Sequence, residues 1–211
     1  MNHLRRQLID TALRMNALGI NQGSSGNVSL RHGDSFLITP TGMSYDSLEP
    51  ADIVQMSLQG TPAADQRKPS SEWLFHRDIY QQRPEFGAIV HVHSTAATAL
   101  ACLREPIPAF HYMVAAAGGK DIRCADYALF GTQELSNTVL IALQQRRACL
   151  MANHGLIACG DDLAAALALA VEVEQLAAQY LTARSVAEPI ILGDAQMDEV
   201  INKFAGYGQQ D

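Results

Sequence analysis

Two histidines one residue apart close an apolar run, Ala88-Ile-Val-His91-Val-His93-Ser94, and no other residues in the chain have types and spacing that point so directly to chemistry. Alternate side chains of an extended strand share a face, so His91 and His93 present two imidazoles to the same side. A third candidate, His154, ends a second short apolar run, Leu150-Met-Ala-Asn-His154, just before Gly155 lets the chain turn. Three imidazoles with a fourth position left open describe a catalytic zinc ion. A lone histidine is more often an ordinary packed residue. His3, His32, His76 and His111 lack the strand-end placement and carry no comparable signal.

Four further segments suit an anion or a reacting carbon. In Pro69-Ser70-Ser71-Glu72, hydroxyls and free amides at a helix start attract phosphate, while the carboxylate can face the same cleft. The alternative is an ordinary capped helix. The loop Asn21-Gln-Gly-Ser-Ser-Gly-Asn27 has glycines that let several amides aim at one point, although it lacks the Gly-Lys-Ser/Thr ending of a P-loop and also reads as a flexible turn. Pro40-Thr41-Gly42 is a weaker signal of the same kind. Phe110-His-Tyr112 precedes Ala115-Ala-Ala-Gly-Gly119, which puts a tyrosine hydroxyl beside a small, flexible run of the sort found at active sites.

These residues need a scaffold. The 211 residues, 48% of them hydrophobic, predict a single domain over 1–211 with a sizeable core. Fifteen basic against 22 acidic residues give a net charge of −7 without a basic cluster, which argues against nucleic acid as a partner. No run reaches membrane-spanning length, and residues 1–20 lack a continuous apolar core, so a cytoplasmic protein is expected. Cys102, Cys124, Cys149 and Cys159 form no close pair and read as reduced thiols. Apolar spacing predicts an opening helix over Leu4 to Met15 stopped by Gly19 and short strands around Val28–Leu30, Phe36–Thr39 and Ile53–Ser57. Ser71 is the expected cap of a helix over Glu72 to Gln82, and the His91 strand leads into a helix near Thr95 to Leu103. A helix near Gln133 to Gln145, a strand and then a helix around His154, a long helix capped by Asp161 or Asp162 and reaching about Thr182, and a last helix near Met197 to Phe204 complete the pattern. This uneven order predicts an α/β domain whose central sheet is covered by helices on both faces, not a regular βαβ alternation.

Six motifs, in order, resemble the class II aldolase and adducin family over nearly the full chain: Asn21-Gln-Gly-x-x-Gly-Asn27, Leu37-Ile-Thr-Pro-Thr-Gly42, Lys68-Pro-Ser-Ser-Glu72, His91-x-His93, Ile107-Pro-Ala-x-His-Tyr112 and Asn153-His154-Gly155-Leu-Ile-Ala-Cys159. The resemblance implies a mainly antiparallel sheet and one Zn2+ per subunit, held by His91, His93 and His154 with Glu72 as fourth ligand at rest and as acid/base in turnover. It further implies a phosphate pocket of Asn27, Thr41, Gly42, Ser70 and Ser71, a proton-donating Tyr112 from across a subunit boundary, and Tyr207, in Lys203-Phe-x-x-Tyr207-Gly208, helping to cover the site. The implied assembly is a homotetramer with active sites between subunits. The implied reaction is reversible cleavage of a ketose 1-phosphate, L-fuculose 1-phosphate or a related deoxy-sugar phosphate, to dihydroxyacetone phosphate and a short aldehyde such as lactaldehyde. Aldolases for deoxypentulose or methylthioribulose 1-phosphate, a dehydratase or 4-epimerase of the same fold, and a metal-free adducin-like module are the alternatives. Asn153 stands where fuculose-cleaving members carry another histidine, and Ser24-Ser25 stands where they carry Thr-Ala.

Overall fold

The computed structural model describes residues 1–204. Helix α1 (Asn2–Ala17) forms over the expected apolar spacing and buries Leu8, Ile9, Ala12 and Met15 along one stripe. Strands β1 (Asn27–His32) and β2 (Ser35–Ile38) make a hairpin whose turn uses Gly33 at φ 58°. Then follow β3 (Val54–Ser57), α2 (Trp73–Gln82), β4 (Ala88–Val92), α3 (Thr95–Leu103), a 3-10 helix over Tyr112–Ala117, β5 (Cys124–Ala125), α4 (Gln133–Ala142), β6 (Ala148–Met151), β7 (Gly155–Gly160), α5 (Leu163–Val186) and α6 (Asp194–Phe204).

The strands form one seven-stranded sheet in the order β3-β2-β1-β4-β7-β6-β5. Every neighbouring pair is antiparallel except β5 with β6. Strand β4 is central and buried at all five residues, and its alternation divides the core. Val90 and Val92 join Leu100, Leu167 and Val173 on the face covered by α1, α3 and α5. Ile89 turns to the other face and packs with Phe75, Ile79, Leu135 and Val139 of α2 and α4. Burying each large aliphatic or aromatic side chain stabilises by roughly 1.5–3 kcal/mol, so both faces must be covered and the sheet is held rigid between them.

Three local differences from the sequence expectation have physical causes. Around His154 there is a β6–β7 hairpin, not a strand leading straight to a helix; β7 is buried at all six residues and so lacks the alternation that marks a strand with one wet face. Ser71 does not cap α2. Glu72 occupies the N-cap position with its side chain turned into the protein, and its N–H donates to Ser70 Oγ at 3.3 Å. Helix α5 continues to Val186, and its cap is Asp162, whose carboxylate accepts from the Ala165 N–H at 2.8 Å. Cys149 and Cys159 are buried on β6 and β7, and burial pushes the Cys159 thiol up to about 12. Among the described residues no helix is long and apolar enough to cross a membrane.

Candidate metal centre

Glu72, His91, His93 and His154 come together, each offering a ligand atom within 4.8 Å of the others. They arrive from three directions. His91 lies on β4 on the same face as Ile89, and His93 follows just beyond the strand end. His154 sits in the β6–β7 turn, which Asn153 enters at φ 55°. Gly155 lets this turn approach, because a Cβ there would stand 2.5 Å from the Val92 carbonyl oxygen and 2.9 Å from His93 Cδ2. Glu72 enters from the start of α2, across the cleft.

The separations suit one cation. His91 Nε2 lies 3.0 Å from His93 Nε2 and 3.2 Å from Glu72 Oε2, while His154 Nε2 lies 3.2 Å from Glu72 Oε1. Four ligands held about 2.0–2.1 Å from a tetrahedral ion stand roughly 3.3 Å apart. His91 Nδ1 is 2.9 Å from the Leu156 carbonyl oxygen, to which it donates, so its Nε2 lone pair is left for the centre. Glu72 Oε1 is buried without a hydrogen bond of good geometry although His154 Nε2 stands 3.2 Å away, an arrangement that suits an ion shared between carboxylate and imidazole. Burial works to raise the Glu72 pKa, but the neighbouring His91 and His154 outweigh it and hold the carboxyl well below its usual range. Burial, reinforced by the charges of His91 and His154, lowers His93 to about 4, so this ring is neutral at physiological pH as a metal ligand must be.

A cavity of about 390 Å³ opens on these groups, lined by Ser25, Ser71, Glu72, His93, Asn153 and His154 together with a wall of consecutive residues, Tyr127, Ala128, Leu129 and Phe130. The Ser70 N–H donates to the Thr39 carbonyl at 3.0 Å and the Thr41 N–H to the Lys68 carbonyl at 3.1 Å, joining the Thr41-Gly42 turn to the Ser70-Ser71 segment. The 21–27 loop is fixed from both sides. A Cβ at Gly26 would collide with the His91 carbonyl oxygen, and the Tyr45 hydroxyl donates to the Gly26 carbonyl. Asn27 differs from a phosphate ligand in its contacts: it is 2% exposed, its amide nitrogen donates to Glu72 Oε2 at 3.0 Å, and its oxygen meets His76 Nε2. Tyr112 is 51% exposed and lines a separate cavity with Met113, Val200, Lys203 and Phe204, away from Glu72. Tyr207 lies outside the described residues. Sequence reasoning missed His76 and the wall of Tyr127, Leu129 and Phe130. The signal for His76 was its spacing, four residues after Glu72 and so on the same face of a helix.

A mixed sheet with three histidines and a glutamate gathered at one cleft defines a protein with a candidate metal centre. Residues 6–181 match the Class II Aldolase and Adducin N-terminal domain. A 5-methylthioribulose-1-phosphate/5-deoxyribulose-1-phosphate aldolase of Rhodospirillum rubrum is 54% identical over 97% of this chain and 92% of its own length. An L-fuculose phosphate aldolase of Escherichia coli K12 is 50% identical over 98% of this chain and 96% of its own. A solved L-fuculose 1-phosphate aldolase superposes with a TM-score of 0.94 at 40% identity, covering 97% of each chain. The chain belongs to the class II aldolase and adducin family, and it is an aldehyde-lyase acting on sugar phosphates.

Proposed function

We propose that the protein is a zinc-dependent aldolase that reversibly cleaves a ketose 1-phosphate to dihydroxyacetone phosphate and a short aldehyde with an apolar end, working as a homotetramer with active sites between subunits. The observation that carries this reading is the buried Glu72 oxygen, without a hydrogen bond of good geometry, facing the point where His91, His93 and His154 converge. Zinc bound there would supply Lewis acidity for charge developing on substrate oxygens. In condensation Glu72 removes a proton from C3 of dihydroxyacetone phosphate, and Tyr112 of a neighbouring subunit donates one to the aldehyde oxygen as the new bond forms. In cleavage the C4 hydroxyl proton leaves through Tyr112, the C3–C4 bond breaks and C3 receives a proton through Glu72, with water exchanging protons with both residues between turnovers so that each ends as it began. Thr41, Gly42, Ser70 and Ser71 are proposed to seat the phosphate, Asn27 to border it, and Tyr207 to help cover the site.

The wall of Tyr127, Leu129 and Phe130, each more than half exposed, offers ring and aliphatic surface beside the clustered histidines, which supports an aldehyde ending in a methyl or methylthio group that this surface can cover. The Rhodospirillum rubrum relative is named for a methylthio and a deoxy sugar phosphate, in keeping with such an end. Incubation of the purified enzyme with L-fuculose 1-phosphate, 5-deoxyribulose 1-phosphate and 5-methylthioribulose 1-phosphate tests the proposal by product analysis. Dihydroxyacetone phosphate and the matching aldehyde are expected from at least one of them. Loss of water or epimerisation with the carbon skeleton intact would refute it.

A further inference from the structure

One buried residue outside the ligand set is built into the site by a match of two periods. Glu72, His76 and Tyr80 are spaced four apart at and along α2, and Asn27 and Ser29 are two apart on β1, facing them. Four helical residues rise about 6 Å and two strand residues about 6.6 Å, so the side chains interleave without falling out of step. The contacts run Glu72, Asn27, His76, Ser29, Tyr80. Ser29 Oγ lies 2.7 Å from His76 Nδ1 and 2.7 Å from the Tyr80 hydroxyl.

The protons in this row can be assigned from one end. Ionised Glu72 only accepts, so the Asn27 group at Oε2 must be its NH2, and Asn27 Oδ1 must face His76. His76 must then donate from Nε2, accept at Nδ1 from the Ser29 hydroxyl, and leave Ser29 Oγ to accept from Tyr80. Every group is satisfied in this single direction, and it requires the neutral Nε2–H form of His76. Burial, with a smaller contribution from His91, lowers His76 to about 3, in keeping with that form.

We propose that His76 is a positioning residue of the metal centre, fixing through Asn27 the orientation of Glu72 so that Oε2 is pinned and Oε1 is presented to the ion. The proposal rests on the reading of Glu72 as ligand and base. Without the His76 donor the Asn27 amide is free to turn, and the carboxylate loses the contact that selects one of its rotamers. Partners one step removed from metal ligands typically change affinity or activity about 10–100-fold when removed.

The test compares His76→Gln, whose amide nitrogen reaches the position of Nε2, with His76→Asn, which reaches only that of Nδ1. Zinc retention is measured by competition with a chromophoric chelator on protein whose melting confirms folding. His76→Asn is expected to weaken retention about 10–100-fold and His76→Gln to restore most of it, with kcat following the same order and KM nearly unchanged. In the wild-type enzyme, 15N NMR of labelled histidine is expected to show His76 as the neutral Nε2–H tautomer at pH 7. The proposal falls if His76 is the Nδ1–H tautomer or an imidazolium, if His76→Asn holds zinc as the wild type does, or if both variants lose it equally. Because zinc retention and the tautomer need no substrate, a wild-type enzyme that releases no dihydroxyacetone phosphate would overturn the functional reading separately.

Discussion

At the scale of single residues, the proposed chemistry asks one carboxylate, Glu72, to do two things. Glu72→Gln keeps the shape and the hydrogen bond from Asn27 but can neither hold a proton in transit nor carry the ligand's charge. Turnover should drop by roughly a hundred- to ten-thousandfold with the thermal melt of the apoprotein little changed, and near wild-type activity would refute the role. His76 supplies a pH prediction. Burial lowers its pKa from the ordinary 6.5 to about 3, so between those values the unfolded chain binds a proton that the folded one refuses. Stability therefore falls as pH drops through this window, and His76→Gln should flatten the slope of Tm against pH between about 6.5 and 4. An unchanged slope would show that His76 is not the group responsible. The three clustered histidines were legible in the sequence because each ends an apolar run. His76 carried only its spacing from Glu72, which histidines with no function share, and it is the register of α2 against β1 that reveals its partners.

At the scale of elements, rigid pieces hold the clustered histidines and Glu72 because their ends are tied together. Helix α3 begins one residue after Ser94, which gives it no side-chain cap; the Glu174 carboxylate from α5 accepts instead from the Ala96 and Ala97 N–H groups, at 2.8 Å each. Glu174→Ala should cost about 1–2 kcal/mol, and a shift of a few degrees in Tm would register it. The β4–β7 contact makes a sharper prediction. Gly155→Ala places a methyl group against the Val92 carbonyl and the His93 ring, so the strands must part at the one end where two ligands meet. Bound metal, measured on purified protein, should fall more than thermal stability does, and full occupancy would contradict this account. Most helices were readable from their spacing, yet β7 was hidden by its own burial: with both faces covered, Gly155–Gly160 loses the period that distinguishes strand from helix.

At the scale of the whole molecule, the site within one chain is incomplete for the proposed chemistry. Glu72 and the three histidines open on one cavity, whereas the proposed proton donor Tyr112 stands half-exposed at another, beside α6. No single-chain sequence reading could supply the missing geometry, since spacing along a chain says nothing about what a second copy brings. If Tyr112 serves a neighbour's Glu72, the two defects lie in different subunits of each site and can compensate. Glu72→Gln and Tyr112→Phe, each nearly inactive alone, should then recover activity when their subunits are exchanged, because a mixed assembly contains sites with an intact Glu72 facing an intact Tyr112. Random exchange gives about one such site in four, which sets the ceiling on recovery in a cyclic assembly. Wild-type subunits carried through the same treatment provide the scale. Recovery near that ceiling would place the donor across the boundary, while mixed assemblies as inactive as their parents would confine both residues to one subunit.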